Sequence, residues 1–186
     1  TALAAKAEFL LGNYELSLNS YYRYDTTERA ALTLTGPLGN FDIFVEGVVA
    51  RGSPKTFYSF STSPPDYFSE SKASDHRKEF YPSATAGFLY SDQNNNFTAI
   101  AQYYYNGEGY SDADRSKNID ALTALVEVPP PGYTKDAIIA LGKLAASFSG
   151  QHYGAASISF SEIADSDFSF SVMGIMNFSD ISGLAQ

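Results

Sequence analysis

Between residues 151 and 178, apolar and polar positions alternate with period two. Gly154, Ala156, Ile158 and Phe160 take one set of positions, and Ala155, Ser157, Ser159 and Ser161 fall between them. After Ala164-Asp165-Ser166-Asp167 the alternation resumes. Phe168, Phe170, Val172, Gly174, Met176 and Phe178 then stand against Ser169, Ser171, Met173, Ile175 and Asn177. Successive side chains of a strand point to opposite faces, so this stretch predicts a hairpin with one apolar face and one small, mostly polar face. Its arms run about ten residues, near the length with which a tilted strand crosses a bilayer.

The same pattern recurs upstream. Leu3, Ala5, Ala7, Phe9 and Leu11 oppose Lys6 and Glu8; Leu16 and Leu18 oppose Glu15, Asn19 and Arg23. Leu32 and Leu34 oppose Thr33 and Thr35, and Ile43 and Val45 oppose Asp42 and Glu46. Residues 80–90 and 97–106 alternate likewise, with Ala99 and Ala101 against Thr98 and Gln102. Gly12-Asn13 is a two-residue hairpin signal, because both residues accept positive φ. Pro37-Leu38-Gly39-Asn40 and Ser91 to Asn96 read as further turns. Together these stretches predict an all-β, antiparallel, up-and-down arrangement of about eight strands in a single domain, 1–186.

Two segments break the rhythm. Residues 52–79 hold Pro54, Pro64 and Pro65 among serines and mixed charge, which reads as a long surface loop. The second long loop, 107–151, contains a predicted helix from Asn118 to Glu127, with Asn118 as its capping residue and Pro129-Pro130-Pro131-Gly132 as its stop. Thr134 to Phe148 reads as helix from Thr134 and Asp136, although Ile139, Leu141 and Lys143 also fit a strand.

Composition narrows the partners. The formal net charge is −9 and the sequence pI about 4.5, the opposite of the clustered Lys and Arg that nucleic acid requires, so no nucleic-acid partner is expected. With no cysteine, disulfides and thiolate metal sites are excluded. No run approaches 18 apolar residues, so no transmembrane helix is predicted. Aromatics make up 15% of the chain and gather near strand ends, at Tyr21-Tyr22-Tyr24, Phe88 with Tyr90, Tyr103-Tyr104-Tyr105, and Phe168 with Phe178.

Tight connections (12–13, 37–40, 91–96, 164–167) alternate with open ones (25–28, 52–79, 107–151). By strand length, loop asymmetry and aromatic ends, nearly the whole chain resembles a bacterial outer-membrane β-barrel of the porin type. YYYNGEGYSD and NFSDISG are similar to the strand-to-loop junctions of large barrels. The resemblance implies a bacterial outer-membrane location, contact with outer-membrane lipid, and passive diffusion of small hydrophilic solutes, without a cofactor or an enzymatic activity. The alternative is a non-conducting barrel that displays its loops for adhesion or assembly. A soluble sandwich would fit less well, because it would pack Leu, Ile and Val on a face that here carries many Ala, Gly, Tyr and Phe.

On the porin reading, Glu8, Glu15, Asn19, Arg23, Asp42, Glu46, Gln102, Ser157, Ser159, Ser169 and Ser171 face the lumen. With Lys6 and Arg29 included their charges nearly cancel, which implies weak ion selectivity. No catalytic or metal residues are assigned. Asp112, Asp114, Ser116 and Asn118 have calcium-loop spacing, but Lys117 and Thr123 occupy the positions that need Gly and Glu. Neither His76 nor His152 lies in a recognisable triad. Strand parity puts both ends of an eight-strand piece at the long-loop side, and eight strands alone enclose an interior filled by side chains. The chain is therefore expected to be part of a larger barrel, with open edges at its first and last strands and further barrel segments or protomers beside it.

Overall fold

The computed structural model describes residues 1–24, 27–71, 79–144, 150–162, 166–179 and 182–185. In chain order its elements are β1 (Ala2–Leu11), β2 (Tyr14–Arg23), β3 (Glu28–Leu38), β4 (Phe41–Arg51), β5 (Phe57–Phe60), β6 (Phe68–Ser71), β7 (Phe80–Asp92) and β8 (Phe97–Tyr105). Then come α1 (Asp112–Glu127), α2 (Lys135–Leu144), β9 (His152–Phe160), β10 (Phe170–Asn177) and β11 (Ser182–Ala185). One nine-stranded antiparallel sheet runs in the order β1-β2-β3-β4-β7-β8-β9-β10-β11, and β5 pairs β6 in a separate two-stranded sheet. Among the described residues β1 and β11 do not pair with each other, so the large sheet is open.

All eight expected strands form. The tight turn after β1 places Gly12 at φ +66, and the turn after β3 places Gly39 at φ +65, backbone regions that residues with a Cβ disfavour. The structure adds what alternation could not signal. The expected loop 52–79 contains the β5–β6 hairpin, and Ser182–Ala185 adds a ninth strand to the sheet. The second loop carries two helices. α1 begins six residues before the expected start, because Ser111 rather than Asn118 is the N-cap; its side chain accepts from the Asp114 N–H at 3.1 Å. Residues 135–144 are helical, which settles the strand-or-helix ambiguity there in favour of helix. Of the turn at 164–167, Ala164 and Asp165 lie outside the described residues, as does His76.

The register carries both faces across the sheet without a slip. Leu16 pairs Leu34, Leu18 pairs Leu32, Leu34 pairs Val45, Val45 pairs Ala86 and Ala99 pairs Ile158 on one side. Ser17 pairs Thr33, Thr33 pairs Glu46, Glu46 pairs Thr85 and Thr98 pairs Ser159 on the other. A one-residue slip would exchange the faces.

Burial runs opposite to that of a water-soluble sheet. Over much of β2, β3, β4, β7 and β9, apolar residues are the exposed ones: Leu32 is 48% and Val45 44% exposed. Thr33, Glu46, Thr85 and Ser157 on the polar side are half-buried, and Ser17 is buried at 7%. The packed apolar core lies elsewhere. Phe60, Leu125 and Ile138 form it, with Tyr58, Tyr67, Phe68, Leu122 and Leu141 against them. It joins the β5–β6 hairpin to α1 and α2, and makes the two long loops a folded cap.

Candidate functional site

Of the residues expected to line a lumen, Glu8, Glu15, Asn19, Arg23, Asp42, Glu46, Gln102, Ser157, Ser159 and Ser171 share one face by register. Ser169 does not join them, since it precedes β10 and lies outside the ladder. Lys6 and Glu8, two positions apart on this face, form an ion pair. The face is not uniformly hydrophilic. Leu10, Phe44, Leu89, Ile100, Met173 and Ile175 lie on it too, as does Tyr21, which the sequence had grouped with the aromatic ends.

The cap is tied to the same polar face. Lys55 Nζ donates to the carbonyl of Glu108 at 3.0 Å and lies over the rings of Phe57 and Tyr110. Phe57 stacks on Tyr81 with centroids 6.2 Å apart, and Tyr81 pairs Ala50 on the polar side. Gly107 donates its N–H to Ser83 Oγ at 3.3 Å. A Cβ on Gly107 would run into the Pro82 carbonyl, so only glycine lets the chain cross β7 this closely. The Tyr110 hydroxyl accepts from the Tyr58 N–H at 2.6 Å. Burial of the ammonium holds Lys55 below its ordinary range, with the Glu108 charge pulling the other way. Burial likewise pushes the Tyr110 hydroxyl up.

Between this anchorage and the strands lies a cavity of about 230 Å³, lined by Arg29, Glu46, Val48, Ala50, Tyr81, Ser83, Ala84, Thr85, Tyr104 and Glu108. Glu46 was expected here from the alternation. Tyr104 was grouped with the aromatic strand ends, and Tyr81, Ser83, Thr85 and Glu108 were not singled out; all five come together only through the β4-β7-β8 pairing and the return of the 107–109 turn over β7.

The opposite face carries an aromatic edge at each end. At the tight-turn end Phe41 contacts Phe88 and Tyr90, Tyr90 contacts Phe97, and Phe97 contacts Phe160, with centroids 4.8–6.0 Å apart. At the loop end Tyr103 stacks with His152 and Phe178. The Tyr103 hydroxyl and His152 Nδ1 share a hydrogen bond, so this histidine belongs to the aromatic edge. Phe41 and Arg51 are the ends of β4. They are about 33 Å apart along a strand of ordinary rise. Arg51 meets Glu28 at 3.5 Å where the apolar band stops.

Asp112, Asp114, Ser116 and Asn118 occupy the first two turns of α1, a helix and not a calcium-binding loop. Among the described residues no group of three or more His, Asp or Glu is placed to hold a metal ion. No family model, curated protein or solved structure matches the chain.

Proposed function

We propose that this chain is a section of a bacterial outer-membrane β-barrel of the porin type, with its apolar face against lipid and its polar face lining a path for passive diffusion of small hydrophilic solutes. The observation that carries the reading is the inverted burial over much of β2, β3, β4, β7 and β9: the apolar side chains there are exposed while Ser17, Thr33, Glu46, Thr85 and Ser157 on the polar side are buried or half-buried. A contiguous apolar surface of this extent needs an apolar environment. Strands of about ten residues and two aromatic edges give that environment the dimensions of a bilayer. Further strands, from a longer polypeptide or another protomer, complete the ladder at the free edges of β1 and β11. The near balance of acidic and basic groups on the polar face gives weak ion selectivity.

Purified protein refolded into a planar bilayer is expected to give stepwise conductance. Correctly folded protein in a silent bilayer overturns the reading. A second reading, a non-conducting barrel that displays its loops, draws on the cap's separate core. Deleting the cap would then abolish surface binding and leave any conductance unchanged. The mass of the intact polypeptide tests the larger barrel: 20.2 kDa, with the first strand paired to the last, would rule it out.

A further inference from the structure

Among the polar groups around the 230 Å³ cavity, the Tyr81 hydroxyl donates to Glu79 Oε2 at 2.7 Å and Ser83 Oγ accepts from Gly107. Arg29 makes no ion pair, and the hydroxyls of Thr85 and Tyr104 make no hydrogen bond, among the described residues. Glu46 Oε2 accepts from Thr33 Oγ1 at 3.3 Å, leaving Oε1 without a protein partner. Glu108 is fixed through its backbone, its N–H donating to Asn106 Oδ1 at 3.2 Å and its carbonyl accepting from Lys55. Its Oε1 is shut off from solvent with no partner among the described residues, so it does not itself face the cavity. Arg29 and Tyr104 are exposed and Glu46 and Thr85 half-buried, so their free polar groups are open to a guest in the cavity.

We propose that this cavity binds one small, neutral, polyhydroxylated solute, a single sugar-sized ring, on its way along the polar face. The proposal rests on the diffusion reading above and adds the solute class. Its basis is the mixture of charges in the wall. A cation would gain from Glu46 and Glu108 but meet Arg29, and an anion would gain from Arg29 but meet both carboxylates. A hydroxyl both donates and accepts, so each wall group can use it without a like-charge neighbour. The aromatic rings of Tyr81 and Tyr104 offer flat apolar surface to the carbon side of a ring. The volume lies below the roughly 300–1,000 Å³ of pockets for drug-sized ligands, which fits one ring and excludes a long chain.

The probe is glucose, titrated into detergent-folded protein and followed by ligand-observed saturation-transfer NMR, with glycine and sodium chloride as parallel arms. Saturable glucose binding is expected. Glu46→Ala should weaken it about tenfold, the loss of one hydrogen bond to a charged group, and Tyr104→Ala about fivefold, that of a neutral one, and Glu127→Gln, at the end of α1, should not. Far-ultraviolet dichroism of each variant separates a lost site from a lost fold. Absence of saturation, insensitivity to both substitutions, or equal site-dependent binding of glycine or sodium overturns the proposal. The two readings fail separately: glucose binding with silent bilayers keeps the site and removes the pore, whereas conductance that glucose neither blocks nor binds keeps the pore and removes the site.

Discussion

Asn118 accepts the backbone N–H of Phe60 through Oδ1 at 2.8 Å, across 58 residues of chain, and its Nδ2 reaches the Tyr58 carbonyl at 3.5 Å. One buried amide therefore terminates the free edge of β5 and fixes α1 against it. Asn118→Ala would strand the Phe60 N–H in the core, at a cost of about 1–3 kcal/mol. Leu125→Ala, in the same core, should cost about 2–5 kcal/mol. Amide exchange across 57–71 and 112–127 is expected to accelerate in both variants, while exchange across 80–105 stays unchanged. Equal acceleration in the strands would mean that cap and sheet open as one unit.

The anchor at Lys55 and Tyr110 gives the cap a pH optimum. Lys55 is held below its ordinary 10.5 by burial, against the pull of Glu108. Between that lowered value and 10.5 the unfolded chain carries the extra proton, so cap stability rises with pH there. Tyr110 is held above its ordinary 10.0 by burial, with the Tyr58 N–H opposing. Above 10.0 the folded tyrosine keeps a proton that the unfolded one loses, so stability falls. The urea midpoint of the cap's near-ultraviolet dichroism should therefore peak near pH 10. Lys55→Met should remove the rise and leave the fall. A decline that continues without a rise up to pH 10 in the unaltered protein would contradict this assignment.

The strands and their two faces were legible because period two is a local property, and the ladder carries Leu18 beside Leu32 and Glu46 beside Thr85 without a bulge. The cap was not. Phe57–Phe60 is too short to show alternation and is followed by Pro64 and Pro65. Its stability comes from α1 residues about sixty positions away. The start of α1 was hidden for a different reason: Asp112 to Lys117 has no apolar spacing, and the cap at Ser111 and the first-turn acids Asp112 and Asp114 are the local signs. Asn118, read as a helix boundary, is a core residue. The cavity was invisible in the same way, since Glu108 sits in a Gly-Glu-Gly turn and acquires its role only when Gly107 crosses over Pro82.

That crossing is testable by itself. At Gly107 a Cβ would collide with the Pro82 carbonyl, whereas at Gly12 it would meet nothing and suffer only from a φ of +66. Gly107→Ala must lift the loop from β7 and break the Gly107 to Ser83 hydrogen bond, with a loss of about 1–3 kcal/mol, as for overpacked sites. It should also disturb the Phe57–Tyr81 stack and hence the near-ultraviolet signal. Gly12→Ala should cost about 1–2 kcal/mol in sheet stability and leave that signal intact. Matching spectra for the two variants would show that Gly107 is not the crossing point.

The assignment of faces makes the sharpest demand, because adjacent residues must behave oppositely. Leu18 and Asn19 are neighbours in β2, and Val45 and Glu46 are neighbours in β4, yet each pair divides between the two faces. If the apolar face meets lipid, Leu18→Arg and Val45→Arg put a guanidinium into hydrocarbon near the middle of the band. Each should lower stability by about 2–4 kcal/mol, the cost measured for such charges at the midplane of membrane barrels. Asn19→Arg and Glu46→Arg place the same group on the wet side, where it keeps its hydration. They should shift stability little and change single-channel conductance and its ion preference instead. Urea unfolding in lipid vesicles reads the first quantity and planar-bilayer recording the second. Similar stability losses in both members of a pair would show that the two faces do not meet different solvents, and the membrane reading would fall with them.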